Sequence, residues 1–169
     1  MNTTHKLHIF DMDGTILDSM PMWSTIASDY LDSYDIPHDD DVNKLIEAYT
    51  LENAAKYFIE LGLDKTIYDI IKDIYDFSFN KYKNEIPAKP DMAELLKKLH
   101  ETGETIILLS ASPVQCAVAA FKRLNILEYF DKLFSCQDFE TDKTVPETFI
   151  NVAASLGFKP EDAIVYEDA

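Results

Sequence analysis

The sequence is poor in several residues that whole classes of function require. It has a single arginine, Arg123, among 15 basic residues, so bidentate guanidinium clamping of phosphate is scarce. Phosphate recognition would have to lean on lysines, main-chain amides or a metal. The two cysteines, Cys116 and Cys136, cannot build a disulfide framework, and a reducing cytoplasm is the compartment that fits. No apolar run approaches the length that spans a bilayer, and residues 1–5 lack the charged-then-apolar pattern of a signal peptide. Positive charge is short as well: 15 Lys and Arg stand against 31 Asp and Glu, a net charge of −16. That balance argues against nucleic acid or an anionic membrane as partner, since both call for a basic face. There is no internal repeat and no low-complexity linker.

What is present is an ordinary globular composition. Of 169 residues, 47% are hydrophobic and 27% charged, which excludes global disorder and suits one domain or a domain with a modest insertion. Lys6 to Phe10 reads as a short buried strand that ends in Asp11-Met12-Asp13-Gly14-Thr15. It delivers two carboxylates at its C-terminal end, where open α/β sheets bind ligands. From Ser19 to about Glu85 the spacing is helical. One helix is expected from Ser19 and Pro21 through Tyr34, and a second after Asp39 to Asp41. A third is capped by Thr50 and stopped at Gly62, and a fourth starts at Ile67. Between Leu17 and Ala88 fifteen acids face six lysines, a balance of −9.

After Pro87 and Pro90 strands and helices alternate. Met92 to Leu99 is a helix, Thr105 to Leu109 a strand and Ser112-Pro113 the start of another helix. Leu133 to Cys136 is a strand, Pro146 to Leu156 a helix and Ala163 to Tyr166 a last strand. Such alternation implies a parallel, right-handed α/β sheet. The expected architecture is an α/β core of residues 1–16 and 87–169, split by a helical insertion of residues 17–86. Asp11 and Asp13, Ser110, Lys143, and Glu167 with Asp168 all fall at or after strand ends, which converge in such a sheet. Carboxylates this close raise one another's pKa unless neutralised, and Mg²⁺ takes oxygen ligands of this kind. Asp39 to Asp41 is read as a helix N-terminus favoured by the dipole. Cys116 and Cys136 are read as packing residues, and Trp23 as a residue that packs the insertion or lines the substrate entrance.

Ile9-Phe10-Asp11-Met12-Asp13-Gly14-Thr15-Ile16-Leu17-Asp18-Ser19 resembles the first motif of the haloacid dehalogenase-like hydrolases. Leu108-Leu109-Ser110 resembles the second, Lys143-Thr144-Val145-Pro146-Glu147-Thr148-Phe149 the third, and Ile164-Val165-Tyr166-Glu167-Asp168-Ala169 the fourth. The order and separation also match, and the insertion sits where the family's first-type helical cap sits. The resemblance implies a Rossmann-like core with a parallel sheet and an inserted all-helical cap. It also implies Mg²⁺-dependent phosphatase chemistry on a small phosphorylated metabolite. Asp11 would be the nucleophile that forms an aspartyl-phosphate, and Asp13 the general acid and base. Ser110 and Lys143 would bind the phosphoryl group, with Gly14, Thr15, Ala111 and Trp23 as further substrate contacts. Glu167 and Asp168 would hold Mg²⁺ with Asp11 and the Asp13 carbonyl.

Dehalogenases of the family lack the second acid of the first motif, so Asp13 favours phosphoryl transfer. A sugar-phosphate mutase is the alternative. Its cap histidine and arginine would align with Trp23 and roughly Leu51, and without a second cationic site a bisphosphate would be hard to hold. A catalytically silent phosphate-binding module is the non-enzymatic alternative. Relatives continue beyond the fourth motif, so the chain is expected to be a fragment of a longer product with the C-terminal part of its core missing. A monomer or dimer is expected, with no nucleic-acid or membrane partner.

Overall fold

The computed structural model describes residues 5–139, 143 and 145–168. Thr144 of the third motif and Ala169 of the fourth lie outside the described residues. The chain divides into two compact units, one of Met1–Ser19 with Tyr82–Ala169 and one of Met20–Lys81. These divisions fall a few residues inside the expected 16/17 and 86/87. The two connecting segments are zipped together within the first unit: Asp18 N–H donates to the Pro87 carbonyl (2.9 Å), Lys89 N–H donates to the Ile16 carbonyl (2.8 Å), and Leu17 bridges Ala88.

The first unit is a four-stranded sheet, β1 (Leu7–Phe10), β2 (Thr105–Ser110), β3 (Lys132–Ser135) and β4 (Ala163–Tyr166), ordered β3-β2-β1-β4. Every pairing is parallel. All four residues of β1 are buried, as expected of a strand covered on both faces. One face packs Leu7, Ile9, Ile107 and Leu109 against Val152 and Ala153 of the helix Pro146–Ser155. By alternation Phe10, Ile106 and Leu108 turn to the opposite face. Leu96 and Phe121 are buried on two other helices of this unit, Met92–Glu101 and Val114–Arg123. Cys116 and Cys136 are buried and in no disulfide among the described residues, consistent with packing. The chain builds β1, β2 and β3 in one direction and then places β4 on the other side of β1. The strand order therefore reverses at β1, and the carboxyl end of β1 is the topological switch point where α/β sheets hold ligands.

The second unit contains α1 (Met20–Trp23), α2 (Ile26–Asp32), α3 (Val42–Ile46), α4 (Leu51–Glu60) and the greater part of α5 (Ile67–Asn84). The single helix expected after Ser19 is broken between α1 and α2. Ser24 Oγ and Thr25 Oγ1 both donate back to the Pro21 carbonyl (2.8 and 3.3 Å), a local bond that competes with helix continuation. Thr50 caps α4, its hydroxyl accepting from Asn53 N–H at 3.2 Å. Asp41 precedes α3 without a side-chain cap. Asn43 instead accepts from the N–H groups of Ala27 and Ser28, both at 3.1 Å, and so caps α2. Tyr30, Leu31, Val42, Ala55, Phe58 and Ile70 form the unit's core. Among the described residues no helix is long and apolar enough to cross a membrane.

Ile9 is 1% exposed on the central strand. Ile9→Ala is expected to cost about 2–5 kcal/mol, read as a lower urea midpoint with an unchanged slope.

Candidate active site

The turn after β1 is built around Met12, whose carbonyl accepts from the N–H groups of Ile16 and Leu17 while its side chain is fully buried. Gly14 N–H donates to the Leu17 carbonyl at 2.9 Å. Gly14 has φ +77°, and a Cβ there would lie 1.9 Å from Asp168 Oδ2. Two separate constraints thus demand glycine: the left-handed backbone and the seat it leaves for the Asp168 carboxylate. β4 is held beside this turn, with Asp11 N–H donating to the Tyr166 carbonyl at 3.0 Å.

Asp11 is 6% exposed. Lys143 Nζ forms an ion pair with Asp11 Oδ1 and a second with Glu167 Oε1 at 3.0 Å. Oxygens of Asp11, Glu167 and Asp168 lie within 4.8 Å of one another. Burial pushes the Asp11 carboxyl up from 3.8 to about 6, although Lys143 pulls it down. For Lys143 burial works against the charge, but Asp11 and Glu167 outweigh it and hold the ammonium above its ordinary value.

Asp13 faces a different environment. Its Oδ1 accepts from Ser19 Oγ (2.7 Å) and from the Tyr82 phenol (2.5 Å), and its Oδ2 accepts from Ser112 Oγ (2.7 Å). Its carboxylate is not in the acidic group around Asp11, so the expected contribution to a metal is left to its main-chain carbonyl. Ser110 is buried at the end of β2, and its Oγ accepts from Ser112 N–H at 3.0 Å. Ala111 between them is exposed. Thr15 Oγ1 is buried without a hydrogen-bond partner among the described residues, so it has a donor to offer. A cavity of about 790 Å³ opens from Asp11, Lys143, Glu167 and Asp168 along Pro146, Phe149, Ile150 and Val165.

The structure therefore gathers Asp11, Gly14, Lys143, Glu167 and Asp168 at one point, with Asp13 linked through Ser112 to Ser110. Trp23 belongs to the helical unit, where it lines a second cavity of about 260 Å³ with Ile26, Asn43, Tyr49, Leu51 and Phe58. Sequence reasoning missed the hydroxyls around Asp13. Ser19 and Ser112 stand in the sequence as helix-opening residues. Tyr82 carries no local signal, being 69 positions from Asp13.

Residues 8–169 match the haloacid dehalogenase-like hydrolase family. The chain belongs to that family. It is 23% identical over 162 residues to a phosphorylated carbohydrates phosphatase of Thermotoga maritima, covering 95% of this chain and 75% of that protein. It is 24% identical over 168 residues to hexitol phosphatase B of Escherichia coli, covering 95% and 74%. In three dimensions it is similar to a crystal structure from Thermotoga maritima assigned as a β-phosphoglucomutase. That similarity has a TM-score of 0.81 and 22% identity, and covers 95% of this chain and 74% of that one. The last likeness carries the haloacid dehalogenase-like fold alone.

Two outcomes follow from the geometry. The folded chain favours protonated Asp11, because its carboxyl lies above the unfolded value. In the metal-free protein the Asp11 contribution to stability should rise as pH falls from about 6 to about 4, and above 6 its buried charge costs on the order of 3 kcal/mol at most. Asp11→Asn should therefore raise the metal-free unfolding free energy at pH 7.5 and match wild type near pH 4. Equal denaturation curves at pH 7.5 would count against this. Gly14→Ala should cost more than the roughly 1–2 kcal/mol of a left-handed alanine, since Asp168 must also move. Chemical denaturation measures that cost.

Proposed function

We propose that this chain is a Mg²⁺-dependent phosphatase that hydrolyses a small phosphorylated metabolite, such as a phosphorylated sugar or polyol, through an aspartyl-phosphate. The observation that carries this reading is the pair of aspartates at the end of β1 in opposite environments. Asp11 lies among carboxylates and a lysine, and Asp13 is held by three hydroxyls. The phosphatase names of the relatives support the reaction class, and their carbohydrate and hexitol names support the substrate class.

The Asp11, Glu167 and Asp168 donors are all carboxylate oxygens, which suits a hard divalent cation. They would hold Mg²⁺ with the Asp13 carbonyl, and the ion would supply positive charge to the phosphate oxygens. The remaining work falls to the chain. Asp11 attacks phosphorus and becomes phosphorylated as the bond from phosphorus to the leaving oxygen breaks. Lys143 binds the phosphoryl group and offsets charge on Asp11. The Thr15 and Ser110 hydroxyls and the main-chain amide of Ala111 contact its oxygens, a positioning and charge-stabilising role, whereas the Gly14 N–H is taken by the Leu17 carbonyl and the glycine serves the turn. Asp13 protonates the leaving oxygen and then takes a proton from the water that hydrolyses the aspartyl-phosphate.

The helical unit, with Trp23, is assigned the selection of the leaving group. Trp23 and Leu51 stand where the mutases would carry a histidine and an arginine, which disfavours a second phosphate and with it the mutase alternative.

Release of inorganic phosphate from a panel of sugar, polyol and aryl phosphates, with Mg²⁺ and with EDTA, tests the reading. Turnover should require Mg²⁺ and fall to background in Asp11→Asn. An isomer formed only with a bisphosphate activator would establish a mutase. No Mg²⁺-dependent turnover on the whole panel would overturn the phosphatase reading and favour a binding module.

A further inference from the structure

Tyr82 is 1% exposed at the end of α5, and its phenol donates to Asp13 Oδ1. Its main chain is fastened as well. The guanidinium of Arg123 donates to the Tyr82 carbonyl at 3.1 Å and to the Ile86 carbonyl. The chain's only arginine is thus spent on the backbone that carries this phenol, even though its Nε is buried without a partner among the described residues. Each carboxylate oxygen offers two lone pairs. Ser19 and Tyr82 occupy both on Oδ1, whereas Ser112 occupies one on Oδ2. Among the described residues the two oxygens of Asp13 are therefore not equivalent: Oδ1 is saturated, and Oδ2 keeps one position open.

We propose that Tyr82 is a positioning residue that saturates Oδ1 of Asp13, so that the proton passes to the leaving group from Oδ2. This rests on the phosphatase reading above. In the step concerned, an Asp11 oxygen forms a bond to phosphorus while the bond from phosphorus to the leaving oxygen breaks. That oxygen departs with the electron pair and takes the proton from Asp13 Oδ2, leaving Asp13 a carboxylate. Without the phenol, Oδ1 regains a free lone pair and the carboxyl loses one of three tethers. The proton is then shared between two oxygens and is no longer confined to Oδ2.

A buried phenol needs an acceptor in any fold, so the test must separate positioning from packing. The dependence of kcat/KM on the leaving group does so, because p-nitrophenolate leaves without a proton and an alkoxide does not. For Tyr82→Phe, kcat/KM on alkyl phosphates should fall about tenfold or more, a fraction of what a general acid supplies. On p-nitrophenyl phosphate it should change by less than about threefold, so the plot against leaving-group pKa becomes steeper. Ser19→Ala removes the other donor to Oδ1 and should steepen the same plot, which keeps the proposal testable if Tyr82→Phe does not fold. Tyr30→Phe, a buried phenol on Asp73 in the helical unit, should leave the slope unchanged. Parallel losses on all esters in Tyr82→Phe and Ser19→Ala, or no loss on any, overturn the positioning role while the phosphatase reading stands. A wild-type chain that hydrolyses no ester overturns both.

Discussion

Asp11 is a carboxylate kept from water beside two others, and the cost of that crowding governs the carboxyl end of the sheet. Three acids share a small volume with one lysine, so the group retains negative charge after Lys143 has paired with Asp11 and Glu167. Burial is what chiefly raises the Asp11 carboxyl, the Glu167 charge adds to it, and Lys143 opposes both. Positive charge brought by a divalent ion would relieve the crowding, and the same unbalanced field would favour a ligand that arrives with a metal over a bare anion. The supporting parts follow from the need to bring these groups together. β4 must lie next to β1 to carry Glu167 and Asp168 there, and position 14 must lack a side chain so that Asp168 can sit against the turn.

Two residues further on, the same strand-end turn places an acid in an unlike setting. Asp13 meets hydroxyls, not carboxylates, and those hydroxyls come from the turn itself, from the segment after β2 and from the end of α5. An environment of neutral donors fixes a carboxyl's orientation without neutralising it by an ion pair. Two aspartates separated by one methionine can therefore hold distinct chemical roles, because the buried Met12 anchors the turn between them and their side chains find different neighbours.

Much of the architecture was legible along the chain. The apolar run Leu7 to Phe10, the β-rich run from Thr105 and the alternation after Pro90 correspond to strands and helices of a parallel sheet, since hydrophobic period and strand–helix order restrict the topology. Thr50 was readable as a cap because its hydroxyl acts on an N–H three residues away. The break between α1 and α2 was not, because it turns on whether Ser24 and Thr25 bond to Pro21 or leave its carbonyl to the helix. Asn43 looked like a mid-helix residue, and it caps a different helix fifteen positions earlier in the chain.

At the site itself, residue type and position along the chain pointed to Asp11, Asp13, Ser110, Lys143, Glu167 and Asp168, and the family resemblance added Gly14. Each lies at or just after a strand end, and parallel strands align their carboxyl ends. What only the tertiary structure decided is which neighbours each acid received. Hydrogen bonds act over about 3 Å, whereas the partners of Asp13 are drawn from positions 19, 82 and 112. The role of Arg123, scarce enough in the sequence to notice, was equally invisible there. Its guanidinium meets main-chain carbonyls about forty residues earlier, a contact that no local pattern encodes because it exists only once the chain has returned to the sheet.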